Sequence, residues 1–212
     1  MKRIVTLLII VFALVVLVLL FLMPKGPDLS QFENLRTPRI LTMDNQKMLV
    51  VEAKGDPNVA GKRAFGLLLR TYYKIKETPK GPKAPAPRAR WPLPFNTPEA
   101  EWVGLYGMPV PESVTQVPRL RTEPGLTVEL TTWEYGEVAE VLHVGAYDKE
   151  SPTVEKLTAF VKEQGYEVLG PHEEEYLKGP GMLLKGNPEK YYTIIRYRVR
   201  KTEAPQATDR TQ

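Results

Sequence analysis

Residues 136–147, GEVAEVLHVGAY, decide how the second half of the chain folds. The first part of this stretch has β-branched and aliphatic residues at strand length, which predicts a strand. Gly145 follows and permits a tight reversal of the backbone. Ser151 and Pro152 then supply a helix cap and a first-turn proline. Apolar residues recur behind them at helical spacing, namely Val154, Leu157, Phe160 and Val161. A strand, a turn and an amphipathic helix are therefore predicted in succession.

Further strands are predicted on both sides of that unit. Residues 126–135 alternate between apolar and polar side chains, as a half-buried strand does. Residues 166–169, a segment near Tyr176 and residues 191–200 have the composition of strands.

The first half of the chain repeats the same order of elements. Residues 46–54 predict a strand, Asp56 suits a helix N-cap and Pro57 suits the first helical position. Apolar residues follow at helical spacing, at Ala60, Ala64, Leu67, Leu68 and Tyr72. The sequence predicts an α+β fold of duplicated strand–helix–strand–strand units with pseudo-twofold symmetry. The halves cover about 46–112 and 126–202.

A basic, proline-rich loop is predicted at residues 77–98. Prolines interrupt it repeatedly, and proline fits neither a helix interior nor a central strand. Its positive charge raises the question of nucleic acid. Trp91 is the one neighbouring aromatic residue and no recognition helix is predicted, so we expect no nucleic-acid partner.

The N-terminal stretch predicts a membrane anchor. Residues 4–23 carry no charge and would span about 30 Å as a helix, enough to cross the hydrocarbon core. A cleaved signal peptide is the alternative, although its apolar core is shorter and a small-x-small site should follow. We expect one transmembrane helix, a linker at residues 24–45 and a disordered tail at residues 203–212.

The orientation of this anchor rests on a small charge difference. Lys2 and Arg3 precede the apolar stretch, and cations are retained on the cytoplasmic side. Arg36 and Arg39 on the other side weaken the bias. We expect a single-pass membrane protein with its domain outside the cytoplasm.

The second half of the chain resembles the C-terminal half of the GyrI-like (gyrase-inhibitor-like) effector-binding family. The resemblance rests on the strand that ends in His143-x-Gly145-x-Tyr147, the following helix, the pair Glu175-Tyr176 and the closing strand at 192–199. The resemblance extends in weaker form over residues 46–201. It implies two paired units with a cleft for a small molecule. The first half is also similar to SOUL-type haem-binding proteins.

This resemblance implies particular ligand-binding residues. In the family a cleft glutamate before an aromatic residue pairs with a cationic ligand held between rings, and Glu175 with Tyr176 matches that position. The candidate ring partners are Trp133, Tyr135, Tyr106 and Trp102, with Tyr147 at the cleft mouth. The predicted function is that of a membrane-anchored small-molecule-binding protein for hydrophobic or cationic ligands.

Three alternatives stay open at this point. Some GyrI-like proteins are hydrolases of reactive electrophiles, and Glu175 would then act as the base with Tyr147 as the acid. Haem binding, or a structural or partner-binding role, are the others. His172 with Glu173 and Glu175 could supply metal ligands, but adjacent residues on an extended chain point to opposite faces, so we expect no metal site. We also expect no cofactor. Glu173 and Glu174 are expected to be solvated.

Overall fold

The computed structural model describes Phe12, Leu14 and residues 28–94, 96–118, 123–180 and 186–202. In this part of the chain every strand pairing is antiparallel. The strands are β1 (Arg39–Met43), β2 (Gln46–Lys54), β3 (Arg88–Trp91), β4 (Val103–Pro109), β5 (Val128–Trp133), β6 (Gly136–Val144), β7 (Tyr166–Val168), β8 (His172–Lys178) and β9 (Tyr192–Lys201). The α+β class predicted from the sequence is confirmed.

Two α-helices lie at the predicted places, α1 (Pro57–Lys74) and α2 (Ser151–Glu163). Asp56 caps α1 as predicted, since its carboxylate accepts a hydrogen bond of 2.8 Å from the backbone N–H of Asn58. Ser151 was expected to cap α2. Instead Glu150 occupies the N-cap position, and its side chain makes no hydrogen bond that caps the helix.

The strands follow the order β1-β6-β9-β8-β3-β4-β2-β5, and β7 pairs with β9. The centre of this order is the β3–β8 pair, in which Arg88 lies opposite Glu175 and Arg90 opposite Glu173. Helix α1 contacts β2 and β4, whereas α2 contacts β6 and β7. Each helix therefore packs on a different half of the sheet.

The apolar core forms where the helices meet the sheet. Ala64, Leu67, Leu68 and Tyr72 of α1 are buried, as their spacing predicts. Leu157 and Val161 of α2 pack in a second cluster with residues of β6 and β9. Burying one such leucine contributes about 1.5–3 kcal/mol, so each helix is held mainly by its apolar face.

Two predicted irregular segments contain strands. Part of the predicted linker 24–45 is a 3-10 turn, Ser30–Arg36, followed by β1. Strand β1 pairs with β6, and its apolar residues Ile40 and Leu41 pack against core clusters. Part of the predicted loop 77–98 is β3, which is a central strand. Proline would not fit inside a central strand, but the neighbouring prolines lie just outside the ends of β3.

The predicted membrane helix, residues 4–23, lies outside the described residues apart from Phe12 and Leu14. Among the residues that the structure describes, no helix has the length and apolar character needed to span a bilayer. The predicted tail at residues 203–212 also lies outside the described part.

Candidate functional site

A cavity of about 1190 Å³ lies between the N-terminal parts of the two helices and the central strands. Helix α1 contributes its first turns, including Gly61 and Phe65, and α2 contributes Val154. Strands β3, β4 and β8 form the remaining wall. Its volume is somewhat larger than the range of about 300–1,000 Å³ that is usual for small-molecule sites in proteins.

Six aromatic side chains line this cavity, namely Phe65, Trp91, Trp102, Tyr106, Tyr147 and Tyr176. They contact one another mostly edge to face. The ring centres of Phe65 and Tyr106 are 4.9 Å apart, and those of Tyr147 and Tyr176 are 5.6 Å apart. Aromatic rings in this arrangement offer both apolar surface and π-faces to a ligand.

The charged side chains of the cavity are mostly acidic. Glu174 lies in the wall and is 5% exposed. Asp148, Glu150 and Glu155 also line the cavity, whereas the lining lysine is the exposed Lys62. In the described part of the chain, no lysine or arginine lies within 4 Å of the Glu174 carboxylate. Acidic residues therefore outnumber basic ones among the described residues that line the cavity.

Glu150, His172 and Glu174 bring their polar atoms together at this wall. His172 Nε2 lies 3.3 Å from Glu174 Oε1 and 3.7 Å from Glu150 Oε1. Burial raises the pKa of Glu150 to about 9, and the charge of Glu174 adds to that shift. One ligand atom from each of the three residues lies within 4.8 Å of the others, a spacing at which they could hold a metal ion.

The tyrosines of the cavity hold their protons firmly. Burial, followed by the charge of Glu174, raises the pKa of Tyr106 to about 12. Burial, followed by the nearby Glu174 carboxylate, raises the pKa of Tyr176 well above its ordinary value. These phenols are therefore hydrogen-bond donors at neutral pH.

The opposite face of the central strands carries a buried network of arginines and glutamates. Arg196 is 4% exposed and forms ion pairs with Glu140 at 2.7 Å, Glu173 at 2.9 Å and Glu175 at 3.2 Å. Arg88 pairs with Glu175, and Arg90 pairs with Glu173. Burial lowers the pKa of Arg196, but the three carboxylates, with Glu175 the strongest, raise that pKa by more.

The structure brings only some of the predicted ligand residues together. Tyr176, Tyr147, Tyr106 and Trp102 line the cavity. Glu175, Trp133 and Tyr135 belong to the opposite face. Arg90 stacks over Trp133 with its guanidinium carbon 4.2 Å from the ring centre. The Tyr135 hydroxyl donates to Glu173 at 2.9 Å and accepts from Arg88 at 2.7 Å.

The expectation for Glu175 is corrected by one residue, since Glu174 is the cavity carboxylate. Successive side chains of a strand point to opposite faces, so Tyr176 and Glu174 share one face and Glu175 takes the other. The expectation that Glu173 and Glu174 are solvated is wrong, because they are 3% and 5% exposed. Strand alternation applied to Tyr176 would have found Glu174.

Other cavity residues were missed by the sequence analysis. Trp91 was placed in a solvated loop, whereas β3 carries it into the wall. Glu150 and Phe65 had no motif to mark them. His143 is a structural residue, since Nδ1 is 2.9 Å from Thr153 Oγ1 and Nε2 is 3.1 Å from the carbonyl oxygen of Ala146.

Solved structures share this fold at low sequence identity. A hydrolase from Listeria innocua is 22% identical, with a TM-score of 0.63 over 83% of this chain and 100% of that chain. A conserved protein from Listeria innocua is 23% identical, with a TM-score of 0.65 and the same coverage. The C-terminal domain of EcmrR is 15% identical, with a TM-score of 0.55 over 78% of this chain and 98% of that domain.

The sequence comparisons agree with these structures. No curated protein matches the chain. The similarity of the first half to SOUL-type haem-binding proteins stays a prediction. A family model described as the GyrI-like small molecule binding domain matches residues 36–200, which is most of the chain. The chain therefore belongs to the GyrI-like small molecule binding domain family.

Proposed function

We propose that the cavity binds a small hydrophobic molecule with a cationic group, and that Glu174 pairs with that group. The observation that carries this proposal is the environment of Glu174. Its carboxylate is 5% exposed, lies in a wall of aromatic rings and has no lysine or arginine within 4 Å among the described residues. A buried carboxylate that lies near the His172 ring but has no lysine or arginine beside it favours a ligand that brings the positive charge.

The aromatic wall adds a second attraction. A cation near the face of a tyrosine or tryptophan ring gains about 0.5–2 kcal/mol, depending on its desolvation. Tyr106, Tyr147 and Tyr176 surround the same space as Glu174. A flat, delocalised cation would combine ring stacking, burial of apolar area and the charge of one carboxylate.

Dye binding to the purified full-length chain tests the proposal. We expect a cationic xanthene dye to bind more tightly than an anionic dye of the same ring system, as measured by fluorescence anisotropy. Glu174→Gln should weaken binding of the cationic dye roughly 10- to 100-fold, because a hydrogen bond to a charged group contributes about 1.5–3 kcal/mol.

Glu175→Gln is the matched control on the neighbouring position of β8. It changes the same chemical group on the opposite face, so dye affinity should stay within about twofold once folding has been verified by thermal unfolding. Equal affinity for both dyes, or a loss with Glu175→Gln and none with Glu174→Gln, would count against the proposed ligand class.

Hydrolysis of a reactive electrophile is the second candidate function. The likeness to a protein described as a hydrolase favours it, as does the presence of Glu174, Tyr147 and Tyr176 in the lining of one cavity. Glu174 would take a proton from water while the water oxygen bonds to the electrophilic carbon. The bond from that carbon to its leaving atom breaks, and Tyr147 or Tyr176 gives the leaving atom a proton.

Mass spectrometry in ¹⁸O-labelled water separates hydrolysis from binding. With a neutral, strained electrophile, turnover would place one ¹⁸O atom in the product. Glu174→Gln should then abolish turnover while affinity for the neutral compound is retained, because no charge pair is lost. Unlabelled, unchanged compound after prolonged incubation would leave binding as the function.

We also propose that residues 4–23 anchor the domain in a membrane, with the domain outside the cytoplasm. The uncharged apolar length of that stretch supports the anchor, and Lys2 with Arg3 supports the orientation. Full-length protein should remain in carbonate-washed membranes, with its domain open to protease from the outer side. A soluble product that begins near Lys25 would contradict the anchor, and protease access from the cytoplasmic side alone would contradict the orientation.

We further propose that the domain is an internal duplication with pseudo-twofold symmetry. The strand order supports this, because β6, β9 and β8 on one side of the centre correspond to β2, β4 and β3 on the other. Superposition of residues 46–112 on residues 126–202 should match α1 with α2 and strand with strand. If the helices superpose but the strands do not, the two halves did not arise by duplication of one unit.

A further inference from the structure

The structure assigns a divalent transition-metal ion to Glu150, His172 and Glu174 in the cavity wall, where the ion and a cationic ligand would compete for Glu174. We propose Zn²⁺ as the ion that this donor set fits. The inference goes beyond the proposed function, because it requires no organic ligand.

The spacing of the three donor groups suits a small ion. Ligand atoms that stand 2.0–2.1 Å from a tetrahedral zinc ion lie about 3.4 Å from one another. His172 Nε2 is 3.3 Å from Glu174 Oε1 and 3.7 Å from Glu150 Oε1. Since all three donor atoms lie within 4.8 Å, rotation of the carboxylates is enough to close the set around one ion.

The fold brings these residues together from two elements. His172 and Glu174 are two positions apart on β8 and therefore share its cavity face. Glu150 arrives from the N-cap position of α2, where its side chain makes no cap. Three protein ligands are the usual number in zinc sites that keep a fourth position open, and Glu150 and Glu174 line the cavity from which a fourth ligand would come.

A buried, unpartnered oxygen is the independent sign that a ligand is expected. Glu150 is 9% exposed, and its Oε2 atom is buried without a hydrogen-bond partner among the described residues. A buried polar oxygen without a hydrogen-bond partner is costly, and a bound cation would satisfy it. No lysine or arginine of the described residues takes that place within 4 Å.

The surroundings of His172 match those of a metal-binding histidine. Its Nδ1 atom is 2.8 Å from the hydroxyl of Tyr197, which is itself buried. A hydrogen bond at one ring nitrogen orients the imidazole and directs the other nitrogen to the ion. One nitrogen and two carboxylate oxygens suit Zn²⁺ and its transition-metal neighbours better than Mg²⁺ or Ca²⁺, which prefer oxygen alone.

Titration of the metal-free, full-length chain with Zn²⁺ in a calorimeter tests the site. We expect one ion per chain, and visible absorption bands of a tetrahedral site when Co²⁺ replaces Zn²⁺. Glu150→Gln, Glu174→Gln and His172→Ala should each weaken Zn²⁺ binding more than about 100-fold, because each removes a ligand. Tyr197→Phe keeps every ligand and should weaken binding about 10- to 100-fold.

Glu129→Gln is the control, since Glu129 is an exposed carboxylate on β5, and it should leave Zn²⁺ affinity unchanged. Thermal unfolding of each metal-free variant separates loss of the site from loss of the fold. Zinc binding that is weak, non-stoichiometric or equally strong in Glu150→Gln and His172→Ala would overturn the proposal. Failure of the cationic dye to bind, with zinc bound as expected, would refute only the proposed organic ligand.

Discussion

Replacing Arg196 with methionine removes the centre of the buried charge network while keeping an unbranched side chain on β9. The wild-type guanidinium is 4% exposed and pairs with Glu140, Glu173 and Glu175. The variant therefore tests whether these ion pairs contribute to stability beyond the apolar cores.

The expected cost follows from what the three carboxylates retain. Removal of one partner from a buried ion pair usually costs about 3–5 kcal/mol. Each glutamate here keeps another arginine, since Arg39 pairs with Glu140 at 2.7 Å, Arg90 with Glu173 at 2.7 Å and Arg88 with Glu175 at 3.2 Å. We therefore expect Arg196→Met to lower the free energy of unfolding by about 3 kcal/mol, the lower end of that range.

Urea unfolding monitored by tryptophan fluorescence is the assay. With a denaturant slope of about 2 kcal/mol per molar urea, the midpoint should fall by about 1.5 M. Arg200→Met is the matched control on the same strand, because Arg200 pairs with Glu167 through side chains that are 64% and 46% exposed. An exposed pair contributes about 0–1 kcal/mol, so that midpoint should shift by less than about 0.5 M.

Equal midpoints for Arg196→Met and Arg200→Met would refute this reasoning. That result would mean that the desolvation of Arg196 cancels its three ion pairs in the wild-type protein. A changed denaturant slope in Arg196→Met would instead indicate a different unfolded or native state, and the comparison of midpoints would then lose its meaning.

Two further predictions concern the cavity and pH. Gly61→Ala should be about 1–2 kcal/mol less stable than Gly66→Ala and should weaken dye binding. The reason is that a Cβ at Gly61 would stand 2.9 Å from the Tyr106 hydroxyl, whereas one at Gly66 meets only Arg70 at 3.7 Å. Burial, then Glu173, raises the pKa of Tyr135 from 10.0 to about 12. The folded state therefore binds more protons between pH 10 and 12, and stability should fall as pH rises through that window, by up to about 3 kcal/mol from this residue.

Urea midpoints provide the measurement for both predictions. Gly66→Ala should gain up to about 1 kcal/mol from helix propensity, and a loss as large as that of Gly61→Ala would show that contact with Tyr106 is not the cause. Tyr135→Phe should be less stable at pH 7, because it loses hydrogen bonds to Arg88 and Glu173. Its midpoint should fall less between pH 10 and 12, and an unchanged fall would assign the effect to other groups.

The local elements of this protein could be predicted from its sequence. Asp56-Pro57 marks the start of α1, and the apolar spacing behind it marks the face that is buried. Strands β2, β6 and β9 follow from runs of aliphatic and β-branched residues. These signals are local, because helix caps and side-chain periodicity depend on neighbours within a few residues.

Strand β3 shows where such local signals fail. Arg88-Ala-Arg-Trp91 resembles a continuation of the basic, proline-rich loop, yet it is the central strand on the first-half side of the sheet. Its arginines are half-buried and are paired with Glu173 and Glu175, which lie opposite them on β8, about 85 residues along the chain. Composition alone does not reveal a partner at that separation.

The cavity residues, too, could be predicted only in part from the sequence. Alternation along β8 already requires that His172, Glu174 and Tyr176 share one face and that Glu173 and Glu175 share the other. The sequence by itself determined these two sets, together with the helices, most strands and the resemblance to a ligand-binding family. Only the tertiary structure decided which set faces the cavity. The arginines of β3 and β9 occupy one side of the sheet, and the two helices with Glu150 enclose the other. A buried carboxylate is tolerated on either side only because the fold surrounds it with suitable partners or leaves room for a cation.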